Sequence, residues 1–181
     1  MVDQVLTTIA DKLRNVIGRL TDIDTDEVVI DGLTKVDPEE DMEFVQGKTC
    51  VTLVNLEEEK VMQGKSHAYN NKLFLNLSVM ISARPAKDGS REDNYLLAVK
   101  KIADVMGYLR NESVWTVQNT PELGSIADKL IFEMQNLDFK QITDIWSRLG
   151  NEIQPAVLYK VKVVNVAEFV DSPRSILGFN G

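Results

Sequence analysis

The chain has 181 residues, 44% of them hydrophobic and 27% charged, with a net charge of −8. That balance describes one ordinary globular domain, and its acidic sign argues against nucleic-acid phosphate as the main ligand. A lone cysteine, Cys50, cannot form an internal disulfide, and no run approaches the ~18 apolar residues of a membrane helix.

Val2, Leu6, Ile9, Leu13, Val16 or Ile17, and Leu20 recur at helical spacing, so residues 3–20 are expected as an amphipathic helix. This opening stretch has neither a basic n-region nor a small-residue cleavage site, which predicts no secretory signal and assembly in the cytoplasm. The acidic connection TDIDTDE precedes a short strand at 28–30, and residues 34–46, with Pro38, are expected as a loop. Residues 49–56 read as a central strand that buries Cys50 as an inert thiol. Residues 57–72 are the most polar stretch and hold the sole histidine; their length suits a mobile or contact arm. Leu73, Leu75, Leu77, Val79, Ile81 and Ala83 then alternate with polar residues as a strand, which completes an extended hairpin.

After the turn at Pro85 and AKDGS, Ser90 and Asp93 cap a second helix, with Tyr95, Val99, Ile102, Met106 and Leu109 as its apolar face. VWTV is a small strand, residues 118–128 hold Pro121 and Gly124, and Leu130–Met134 is a further strand. Asp138 and Gln141 form a capping box, with Leu137 and Ile142 placed as a hydrophobic staple. Phe139, Ile142, Ile145, Trp146 and Leu149 share a face of this third helix, which Gly150 stops. Past Pro155, Val157, Tyr159, Val161 and Val163 alternate with Lys160 and Lys162 as a half-buried strand with a basic stripe outside. Trp115 and Trp146 read as core. Long strands without crossover helices make the fold α+β, a mostly antiparallel sheet flanked by about three helices. One domain is expected over residues 1–170, followed by a tail at 171–181 with three apolar side chains.

The chemistry-bearing patterns fail on their own geometry. Gly47-Lys48-Thr49 and Gly64-Lys65-Ser66 lack the earlier glycine of a phosphate-binding loop, since Met42 and Glu59 stand there. Asp22, Asp24 and Asp26 open like a calcium loop, but Glu27 and Leu33 occupy the positions that need glycine and glutamate. The cluster Asp37, Glu39, Glu40, Asp41 and Glu43 has no spacing that ties two carboxylates to one site. One histidine and one cysteine cannot build a triad by local spacing or a usual zinc site. No enzyme, cofactor or metal is expected.

Three stretches, LFLNLSVMISARP, NYLLAVKKIADVMGYLRNESVW and LDFKQITDIWSRLGNEIQPAVLYKVKVV, occur in this order over a chain that from about residue 3 to 168 resembles one family. They are similar to the small cap, or tube-terminator, proteins of phage-tail-like contractile injection systems. The most specific pieces are Ile145-Trp146 with Leu149-Gly150, then Pro155 and Val157-Leu158-Tyr159-Lys160-Val161. The resemblance implies a tail-terminator-like fold, a homohexameric ring on the baseplate-distal end of tube and sheath, and a particle that is released or membrane-attached. Tube and sheath proteins would be the partners, with no nucleic acid and no membrane insertion. It carries over no catalytic residue, and longer members extend past the strand at 157–166. The arm and tail are the expected contact surfaces: Glu57, Glu58, Glu59, Lys60, Lys65, His67 and Tyr69, then Ile176, Leu177 and Phe179. A phage-tail connector or completion protein, and a stand-alone acidic binding module, are the alternative functions.

Overall fold

In a computed structural model, residues 2–21, 28–32, 46–59, 73–149 and 153–166 are described. They form α1 (Val2–Thr21), β1 (Val28–Ile30), β2 (Thr49–Glu58), β3 (Leu73–Ala83), α2 (Arg91–Asn111), β4 (Val114–Thr116), a 3-10 turn (Pro121–Ser125), β5 (Ala127–Gln135), α3 (Phe139–Leu149) and β6 (Ala156–Val166). The six strands make one sheet in the order β1-β2-β3-β6-β5-β4. All neighbours pair antiparallel except β1 and β2, which are parallel. The expected α+β class holds.

Alternation fixes the register of the central strands. Leu75, Leu77, Val79 and Ile81 of β3 lie opposite Val163, Val161, Tyr159 and Val157 of β6, and all eight are buried on one face. A slip by one residue would turn this whole set outward. α1 covers that face with Val5, Leu6, Ile9 and Leu13, and α2 covers it with Ala98, Ile102, Val105 and Leu109. At the β4 end an aromatic chain completes the core. Trp115 is fully buried, its ring centroid 4.4 Å from Phe132 and 6.4 Å from Tyr108, and Phe132 meets Tyr159 edge-on at 6.2 Å. The indole N–H of Trp115 donates to the Glu112 carbonyl at 2.9 Å, so its polar atom is satisfied inside.

On the opposite face, the described residues cover one end. There α3 lays Trp146, Ile142 and Ile145 over Val29, Cys50, Met80 and Leu158. Both tryptophans are core, as expected. Lys160 and Lys162 do stand on this face, and Lys162 Nζ pairs with Glu133 Oε1 at 2.7 Å.

Two expected faces need correction. Of the α2 residues assigned to the core, Ile102 and Leu109 are buried, but Tyr95, Val99 and Met106 are exposed. The core side of α2 is instead centred on Ala98, Ile102, Val105 and Leu109, with Lys101 buried among them. This helix is apolar over more than one face, so its periodicity does not decide which side meets the sheet. Phe139 is likewise 79% exposed. It occupies the first helical position, ahead of the turn that reaches the sheet.

Candidate assembly interface

The acidic end of the β2–β3 hairpin is the part of the expected contact surface that lies within the described residues. Glu57 and Glu58 pair across to Asn76 and Leu75, and the Glu59 amide donates to the Phe74 carbonyl at 2.9 Å. All three glutamates are exposed. A bulge between Leu53 and Asn55 sets the position of this end. It inserts Val54 as an unpaired residue, and past it Leu56, opposite Leu77, lies 48% exposed.

β1 pairs only with Thr49–Val51. From Leu53 to Glu58 the far edge of β2 therefore has no strand partner among the described residues, while its near edge is held by β3. Such an edge offers backbone donors and acceptors to an extended segment of another chain. The glutamates make it acidic, and on the sheet face the negative charge of Glu59 reaches Lys162. Hydrogen bonding to Glu133 raises the pKa of Lys162, and the charges of Glu133 and Glu59 act the same way.

Lys60, Lys65, His67, Tyr69, Ile176, Leu177 and Phe179 lie outside the described residues. So do Gly64-Lys65-Ser66, the aspartates 22 to 26, the acidic cluster at 37–43 and Gly150. Composition did not point to the exposed apolar side chains Met134, Phe139 and Ile153, which stand where β5 ends, α3 begins and β6 is approached. A large aromatic at the first position of a capped helix is the signal that could have found Phe139.

The described residues offer little for bond-making chemistry. Gly47, at φ 69°, leads into β2 rather than a helix, and its carbonyl accepts from Lys101 Nζ at 2.7 Å. Burial pushes the Cys50 thiol up to about 12, which keeps it protonated and unreactive at neutral pH. No group of three or more metal-binding side chains gathers among the described residues. A groove of about 640 Å³ opens between α1, the end of α2 and the 3-10 turn, beside Gln4, Asp11, Lys12, Glu112 and Thr120. Its lysine is committed: Lys12 Nζ donates to the Asn119 carbonyl at 3.1 Å and to Thr120 Oγ1 at 2.6 Å. It also lies 3.6 Å from Glu112 and 4.5 Å from the Trp115 ring centre. No helix among the described residues is long and apolar enough to cross a membrane.

A family model described as the Pvc16 N-terminal domain matches residues 4–174. Among solved structures, the chain is similar to the sheath/tube terminator of an extracellular contractile injection system (PVC) in its extended state, at 14% identity and a TM-score of 0.54. It is also similar to the tube-terminating cap of the anti-feeding prophage, at 16% identity and a TM-score of 0.58. Both likenesses cover 100% of this chain, which spans 62% of the first structure's chain and 61% of the second's. No curated protein matches the chain. The matched structures are described as a sheath/tube terminator and a tube-terminating cap, in keeping with the non-enzymatic reading.

Proposed function

This chain belongs to the Pvc16 N-terminal domain family, and on that premise we propose that it is a structural cap of a contractile injection particle. Copies of the chain form a six-fold ring on the end of the tube and sheath that lies away from the baseplate. The ring stops tube growth and gives the last sheath ring a fixed anchor. Its partners are further copies of itself and the particle's own tube and sheath proteins. Assembly takes place in the cytoplasm, before the particle is released or held at a membrane. The family match over residues 4–174 is the observation that carries this reading.

The chemistry of the surface supports it. A terminator needs one face complementary to the polymer and a second that refuses another subunit, and backbone pairing along a sheet edge is a direct way to build the first. The edge of β2 from Leu53 to Glu58, without a strand partner among the described residues and lined by Glu57, Glu58 and Glu59, suits an extended segment with basic side chains. The apolar side chain of Leu56 adds contact area beside it.

The test is to add the purified chain to polymerising tube protein and image the products by negative stain. Shorter tubes carrying six-fold density at one end are expected. Tubes of unchanged length with bare ends would refute the cap. Rings found between joined tube segments would make the protein a connector instead.

A further inference from the structure

The outward side of α2 has a pattern that the core does not use. Glu92, Leu96, Val99, Ala103, Met106 and Arg110 are all exposed, at alternating spacings of four and three residues. That spacing lines side chains along one stripe, as in the contact seam of paired helices. Leu96 is 55% exposed, Val99 40% and Met106 36%, with Tyr95 beside the stripe at 53%. The stripe ends in opposite charges, Glu92 in the first turn and Arg110 in the last.

Laid antiparallel on a copy of itself about a two-fold axis at the level of Lys101, this seam matches at every position. Glu92 of one copy faces Arg110 of the other, Leu96 faces Met106, and Val99 faces Ala103. The large ring of Tyr95 then falls opposite Gly107. Gly107 is itself unexplained within the chain: it sits in a helix interior, where glycine is among the least favourable residues. A Cβ added there would meet nothing within 4 Å. A partner's aromatic ring lying over it gives the missing side chain a reason, because the absent Cβ lets the two backbones approach.

We propose that the free chain forms a two-fold dimer through this face of α2, independently of any ring on a tube. The occupant is a second copy because the charge order along the stripe is complementary to its own reverse, which no other sequence need satisfy. The symmetry repeats each Glu92–Arg110 contact twice. From Glu92 to Arg110 the seam rises about 27 Å along a single helix, so a weak dimer is expected, with dissociation on the order of ten micromolar.

The test is sedimentation equilibrium of the full chain and its variants, alone, from roughly one to a few hundred micromolar, a range chosen to bracket that constant. The mass should rise from 20.4 kDa toward twice that value with concentration. Glu92→Arg and Arg110→Glu each turn two attractive contacts into repulsive ones and should weaken the dimer about 10-fold. The double variant Glu92→Arg/Arg110→Glu restores both contacts and should return within about threefold of the original affinity. Circular dichroism and melting of each variant confirm that the monomer stays folded, and Val99→Glu offers a second, apolar disruption. A mass that stays monomeric throughout would overturn the proposal. So would a double variant as weak as the singles, since that pattern belongs to a contact between unlike surfaces. Failure in either form leaves the tube-capping test unaffected.

Discussion

Trp115 is the largest fully buried side chain among the described residues. Its ring is fully buried between Phe132 and Tyr108, and its N–H is spent on a backbone carbonyl. Trp115→Ala should cost about 3–5 kcal/mol, read as a lowered urea midpoint, because β4 and β5 cannot collapse into so large a void. Cys50 makes a prediction about alkali. Its folded pKa is raised to about 12 from an ordinary 9.0, chiefly by burial. Above pH ~9 the unfolded thiol therefore loses its proton while the folded one keeps it, so stability falls as pH rises toward 12. Tyr159, also raised by burial, contributes in the same direction. Urea midpoints measured from pH 8 to 10.5 should drop more steeply for the natural chain than for Cys50→Ala. The burial of Cys50 could be read from the apolar run around it, and that of Tyr159 from its alternation with Lys160 and Lys162. Lys101 could not. It is 3% exposed and holds the Gly47 carbonyl, a pairing across 54 positions that no local pattern signals.

The helices separate what local chemistry decides from what packing decides. The start of α3 follows from four residues. The Asp138 carboxylate accepts from the Gln141 amide at 2.8 Å, and Gln141 Oε1 accepts from the Asp138 amide at 2.9 Å. Asp138→Ala should cost about 1 kcal/mol by chemical denaturation, and the Gln141 side chain would lose its reason to turn back. Ser90 likewise caps α2 through the Asp93 amide at 3.3 Å. These starts were legible because both partners of each bond lie within one turn. The core-facing side of α2 was not. Its apolar residues span two adjoining faces, and only the position of the sheet decides between them. Val99 and Met106, apolar but turned outward, lie along the seam from Glu92 to Arg110.

At the scale of the whole molecule, the antiparallel class and the β2–β3 hairpin were readable, because β3 and β6 alternate and no crossover helix is readable between β2 and β3. The placing of β6 and β5 beside β3 was not. Nor was the parallel seat of β1, since three residues carry no signal for partner or direction. It is set by distant contacts: Arg14 Nε donates to the Val28 carbonyl at 2.8 Å, and Thr52 Oγ1 to the Asp31 carbonyl at 2.6 Å. The proposed contact surface was legible as composition, an acidic hairpin end, but not as an edge, because only the length of β1 shows where β2 lacks a strand partner among the described residues. That open edge has a mechanical meaning. Ladder hydrogen bonds run across the strands. A segment seated between Leu53 and Glu58 and pulled along its own length would load every bond at once, in shear. Pulled crosswise, it would open them one after another like a zip. Behind it β3, β6 and β5 continue the ladder and spread the load through the sheet, so this edge withstands tension best along the strand axis.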